Sequence, residues 1–299
     1  MAGGLASPQQ SPHPAHVSSN KITYLQSEGA FDIPMADVLK PLAEAFISRF
    51  YPLYWIVDRE QFQSLYRQQR LPWILLQAVC FIGVTFCDQS VIYQSPMKQK
   101  PQARKIFYKR AITLLDIGYE TNKIVFLQSV LILTFWGPQM KSYGNPSSWV
   151  DFSTNIAASL GIHRNSSLAG MNIKDKSLFR RLWWTMTARN ASCATLLGQP
   201  FRIRMSQCDS DMLLLEDFNH SLSTPRPDTD EYSSQASALY QVNVAKLSLI
   251  LHQIVLFRLT SNRHPVKRGE LHALLNKSHS ELPATVDWSR QTPYEYLRH

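Results

Sequence analysis

Two stretches of 17 residues, 71–87 (LPWILLQAVCFIGVTFC) and 124–140 (IVFLQSVLILTFWGPQM), contain no charged side chain. Such runs must leave water, either into a bilayer or into the rest of the chain. A membrane-crossing helix needs about 20 apolar residues. Both runs are shorter and each carries a glutamine, so they read as buried helices of a large helical domain. The flanking sequence supplies what would bury them. Val38, Leu39, Leu42, Ala45, Phe46 and Phe50 recur at steps of three and four, one face of an α-helix. Ala103, Phe107, Ala111 and Leu114 form a second stripe, and Val150, Phe152, Ile156, Ala157 and Leu160 a third. Further helices are expected over 58–69, from Asp175 or Ser177 to about Leu197, over 231–260 and over 267–280. Asp58 reads as an N-cap and Gly161 as a helix stop, while Pro52 ends the first helix. Period-two runs between hairpin turns are missing, and so is the repeated strand, glycine turn and helix of a parallel sheet. The expected fold class is all-α, a multi-helix globular domain.

Hydrophobic residues make up 44% of the 299 and charged residues 18%, which excludes wholesale disorder. Residues 1–33 are an exception. They are rich in Pro, Ser, His and Gln, show no hydrophobic period, and read as a disordered lead. The helical domain is expected over 34–283 and a C-terminal tail over 284–299. No secretory signal opens the chain. The formal net charge is +9, which suits an anionic partner such as nucleic acid or a membrane surface.

Enzyme signatures are missing. No GxSxG elbow, phosphate-cradling glycine loop or HExxH pair occurs. His163 follows a glycine stop and reads as a hydrogen-bonded helix-end residue. Asp209, Asp211, Glu216 and Asp217 cluster without a histidine or metal-ligand spacing, which points to solvated or capping roles. Lys98, Lys100, Arg104, Lys105, Lys109 and Arg110 are the strongest basic cluster. They could meet phosphate, but as residues of an amphipathic helix they read first as its solvated face. The four cysteines, Cys80, Cys87, Cys193 and Cys208, read as reduced thiols.

Several segments, taken in order, carry more than any one of them. They are Phe50-Tyr51-Pro52-Leu53 with Phe62; 103–107 (ARKIF) running on to Leu114-Leu115-Asp116; 128–133 (QSVLIL); 160–164 (LGIHR); 179–184 (FRRLWW); 197–203 (LGQPFRI); and the acidic stretch through Cys208-Asp209-Ser210-Asp211 and Glu216-Asp217-Phe218. In this order they resemble the middle homology region of the fungal zinc-cluster transcription factors. Two positions depart from that family's pattern: Asn190-Ala191 replaces an acid–Arg pair, and Gln199 replaces an arginine. The family's DNA-binding cluster needs six cysteines for two zinc ions, whereas this chain has four, none before Cys80.

The resemblance implies an all-helical regulatory, non-catalytic domain of a nuclear regulator of RNA polymerase II genes, responsive to a small metabolite in some relatives. With four cysteines in place of that family's six, no cofactor or metal is expected in this chain. The resemblance implies DNA contact only indirectly or through a separate domain, co-regulators or transcription machinery as partners, room for a small-molecule effector and for a homodimer, and no membrane. The positions it singles out, as structural or effector-facing residues, are Arg180, Arg181, Trp183, Trp184, Gly198, Pro200 and His163. Trp136 and Trp149 join the two motif tryptophans as candidates to line a pocket or fill the core. The residues by themselves leave open a helical ligand-binding protein or enzyme unrelated to transcription, and a membrane-associated helical protein.

Overall fold

The computed structural model describes residues 13–137, 145–219, 231–259 and 268–283. Among them are twelve α-helices and no strand, which is the all-α class the periodicity implies. The chain divides into two compact units. One holds the residues up to Phe50 and Val57–Phe135; the other holds Tyr51–Ile56 and the residues from Trp136 onward.

The first unit contains α1 (Ser19–Ser27), α2 (Ala36–Ala45), α3 (Arg59–Arg67), α4 (Trp73–Phe86), α5 (Gln89–Gln94), α6 (Lys100–Ile117) and α7 (Lys123–Leu133). The two uncharged runs become α4 and α7. Every residue from Ile74 to Val84 is buried, as a helix apolar all round must be. Neighbours α2, α6 and α7 surround α4. A π-helical turn over Phe46–Phe50 extends α2 before the chain breaks at Pro52. Asp58 caps α3 as expected, its Oδ1 accepting the Gln61 amide at 2.8 Å.

The crossing of α2 and α4 depends on Gly83. A Cβ there would collide with the Leu42 carbonyl oxygen and lie 2.9 Å from the Leu42 Cα and carbonyl carbon. These are backbone atoms, so no rotamer change relieves the clash. Gly83→Ala should therefore destabilise by about 1–3 kcal/mol or more despite its better helix propensity. At ~2–4 °C per kcal/mol for a domain of this size class, a thermal melt would register the loss.

The lead differs from expectation within the described residues. Residues 13–33 hold α1, and Leu25 and Ala30 are fully buried against Ile74 and Leu114. Residues 1–12 and the expected tail, 284–299, lie outside the described residues. The basic cluster on α6 is also not simply a solvated face. Lys109 pairs with Glu28 and Arg110 with Asp32, each at 2.5 Å. Lys100 donates to the Cys87 carbonyl at the C-terminal end of α4, and Arg104 to the Phe135 carbonyl beyond α7. The last two are cations meeting the negative ends of helices.

The second unit contains α8 (Pro146–Leu160), α9 (Asn165–Leu168), α10 (Ile173–Leu197), α11 (Glu231–Leu259) and α12 (Arg268–Ser280). Gly161 and Gly198 end α8 and α10 with φ of +70° and +62°, the left-handed conformation that favours glycine. Asn172, rather than Asp175 or Ser177, caps α10 by accepting the Asp175 amide. Among the described residues one helical stretch, Ser234–Leu259, is long and apolar enough to cross a membrane by length and composition. It packs against α10.

Candidate functional site

The motif residues fall on α10 and on the turns that precede and follow it. Fifteen of its 25 residues are buried, among them Arg181, Trp183 and Trp184. Adjacent residues of a helix point about 100° apart, so a single apolar stripe would not enclose Trp183 and Trp184 together. Both indoles are enclosed, at 2% and 3% exposure, because α10 is covered on more than one side.

The acidic segment after α10 is held along its length. Its Asp209 amide donates to the His163 carbonyl at 3.1 Å. The Asn165 amide donates to Asp209 Oδ1 at 2.9 Å, and Asn165 Nδ2 to Asp211 Oδ1 at 2.8 Å. In return the Asp211 amide donates to Asn165 Oδ1. Trp184 Nε1 donates to the Asp211 carbonyl at 2.8 Å. Arg180 spans two acids, with Nη2 2.7 Å from Asp211 Oδ2 and Nη1 3.2 Å from Asp217 Oδ1. Asp217 is only 4% exposed, and its other oxygen accepts the Leu214 amide. Asp211 and Asp217 thus fasten the segment to α10, a role beyond the solvated or capping one expected for the cluster.

Arg181, next along the helix, lies among aromatics. Its guanidinium carbon is 6.0 Å from the ring centroids of both Trp55 and Phe218, within cation–π range. Trp55 stacks on Tyr51 at 5.3 Å and meets Phe218 edge-on at 4.8 Å. Its amide donates to Gln241 Oε1, its Nε1 to Ser237 Oγ, and Ser237 Oγ in turn donates to the Pro52 carbonyl. The aromatic–proline segment at Tyr51-Pro52 is therefore built into the second unit through α11.

His163 lies with its ring 6.2 Å from that of Trp183. Its buried Nδ1 has no hydrogen-bond partner among the described residues, whereas a hydrogen-bonded ring was expected there. Gly198 and Pro200 are surface residues of the turn closing α10. Asn190 Oδ1 accepts the Arg202 amide at 3.1 Å, and Arg202 pairs with Asp151 at 3.4 Å. A neutral anchor at Asn190 thus holds the turn where the related pattern has an acid–Arg pair. Asn165 and Gln241 carried no signal in the sequence, since each matters through a partner distant along the chain; Asn190 stood out there only as a departure from the family's pattern.

This arrangement clamps the acidic segment to α10. Among the described residues no group of three or more His, Cys, Asp or Glu is placed to hold a metal ion. Burial pushes the Cys80 thiol up to about 12, which disfavours the thiolate a zinc ligand must supply.

The sequence profile of the fungal specific transcription factor domain matches residues 43–283. The chain is 27% identical over 287 residues to the cutinase transcription factor 1 alpha of Fusarium vanettenii, covering 93% of this chain and 31% of that protein. It is 29% identical over 195 residues to the acetamidase regulatory protein of Aspergillus fumigatus, covering 63% of this chain and 24% of that protein. The chain thus spans between about a quarter and a third of the length of these relatives. No solved structure matches.

Proposed function

Because the chain belongs to the family of fungal specific transcription factor domains, we propose that it is the regulatory, non-catalytic part of a nuclear regulator of RNA polymerase II transcription. The observation that carries this reading is the clamp. Arg180, Arg181, Trp183 and Trp184, the motif residues richest in chemistry, are engaged in holding α10 and the acidic segment. None is paired for turnover. The names of its relatives, regulators of cutinase and acetamidase genes, agree with a role in transcription. Contact with DNA falls to a separate module or to a partner protein, and this chain holds no zinc of its own. Fusing the 299 residues to an unrelated DNA-binding domain should change expression of a reporter carrying that domain's site in fungal cells. An unaltered reporter, with the fusion present in the nucleus, would overturn the proposal.

The same reading fixes what the chain does with duplex DNA. Lys100, Arg104, Lys109 and Arg110 are committed to carbonyls and carboxylates of the first unit, and of the cluster only Lys98, Lys105 and the ion-paired Lys109 are exposed. Binding should be weak, indifferent to sequence, and lost steeply as salt rises through counterion release. Fluorescence anisotropy with two unrelated duplexes across a salt series checks this. A sequence-selective complex at physiological salt would contradict it.

A further inference from the structure

We propose that the second unit holds a site for a small neutral amide, formed by His163, Trp183 and Ser210 beneath the acidic segment. Burial without a partner singles these residues out. Trp183 is 2% exposed, and its Nε1 has no hydrogen-bond partner among the described residues. The same holds for the buried His163 Nδ1 and the buried Ser210 Oγ. Buried polar groups nearly always have hydrogen-bond partners, so three such atoms in one place point to a ligand that supplies them.

That they share one place follows from the contacts around them. The rings of His163 and Trp183 are 6.2 Å apart, centre to centre. A few ligand atoms bridge that separation, since each hydrogen bond spans about 2.9 Å. The Asp209 amide donates to the His163 carbonyl at 3.1 Å, which lays the acidic segment beside the histidine. Asp209 and Asp211 both meet Asn165. In extended backbone alternate side chains share a face, so Ser210 turns to the opposite side, where its Oγ is enclosed. Trp184, next to Trp183 on α10, donates to the Asp211 carbonyl at 2.8 Å. Segment and helix are therefore in contact at this level.

The chemistry of the three groups selects the ligand. An indole N–H only donates, so Trp183 needs an acceptor oxygen. An imidazole nitrogen donates or accepts with its tautomer, and a hydroxyl does both. A primary amide offers its carbonyl oxygen to Trp183 and an N–H to His163 Nδ1 or Ser210 Oγ. Charge selects against the corresponding acid. Arg180, the cation that grips this segment, already faces the carboxylates of Asp211 and Asp217. Arg164, next to His163, is exposed, where solvent screens it. A further negative charge would be buried here without a cation of its own.

A bound amide links α10, the turn after α8 and the acidic segment, and so favours the fastened state of the clamp. That such binding regulates transcription rests on the function proposed above. The binding itself does not, and it is measured without the reporter, so failure of one leaves the other standing.

The test is an NMR titration of the whole 299-residue chain, labelled with nitrogen-15 on tryptophan. The probes are propanamide and its charged counterpart of the same shape, propanoate. Trp183→Phe and Trp184→Phe assign the two indole N–H resonances. A molecule this small binds weakly, so the titration extends to roughly tens of mM. Propanamide should shift the Trp183 indole resonance saturably. Trp184, committed to the Asp211 carbonyl, should move much less and so report an intact clamp in every variant. Ser210→Ala and His163→Phe should each weaken propanamide binding about tenfold, as loss of a hydrogen bond does, and propanoate should bind more weakly than propanamide. No saturable change at Trp183 overturns the proposal. So does propanoate binding as tightly as propanamide, or propanamide binding that neither substitution weakens. A cross-peak between the Trp183 indole proton and water that persists at the highest propanamide concentration would assign the site to structural water alone, and overturn it too.

Discussion

Trp183→Ala should lower the melting temperature sharply or leave the chain insoluble. The indole is 2% exposed in the middle of α10, with Leu182 and Met186 on the same helix fully buried. Replacing a buried Trp by Ala typically costs ~3–5 kcal/mol, through lost burial and the cavity left behind. Folded domains have only about 5–15 kcal/mol in hand. The two tryptophans should then separate when each is replaced by Phe. Trp183 Nε1 has no hydrogen-bond partner among the described residues, so Trp183→Phe forfeits burial alone. Trp184→Phe also leaves the Asp211 carbonyl without its donor, a further ~1–3 kcal/mol where that oxygen stays buried. Circular-dichroism melts of the three variants test this. An unshifted melt for Trp183→Ala would overturn the core assignment and make the motif a recognition surface.

What the sequence disclosed follows from how local each feature is. The cap at Asp58 and the stops at Gly161 and Gly198 depend on backbone geometry within a few residues, and they stand where local chemistry puts them. The two uncharged runs are equally legible, because an apolar helix without a charged face has only burial open to it. Helix α1 is different. It carries no hydrophobic period, and Leu25 is ordered by Ile74 and Leu114, residues far along the chain. The same reason hides Gln77: a lone glutamine in an apolar run gives no hint that two main-chain carbonyls lie over it. On α6 the cations were visible but their partners were not, so a face expected to be solvated proves to hold Glu28, Asp32 and two helix ends. The family resemblance located Arg180 and Arg181 without separating their roles. Adjacent arginines differ by about 100° around a helix, and here one meets carboxylates and the other aromatic rings.

That difference makes Arg180 the second position of large effect. Its value depends on whether its partners are wet. Asp211 is 53% exposed, and a pair of that kind contributes about 0–1 kcal/mol. Asp217 is 4% exposed. Removing the cation from a buried carboxylate typically costs ~3–5 kcal/mol, because the remaining charge is left without compensation. Arg180→Met keeps most of the aliphatic packing and isolates this electrostatic loss, so it should destabilise far more than Asp211→Asn. Asp217→Asn then provides the control. An amide at 217 retains an oxygen for the Leu214 amide while discarding the charge. The double variant Arg180→Met/Asp217→Asn should accordingly be more stable than Arg180→Met alone, a coupling that a double-mutant cycle from denaturant unfolding measures directly. Additive losses in that cycle, or a cost for Arg180→Met no larger than that of Asp211→Asn, would mean that the buried pair does not fasten the acidic segment to α10.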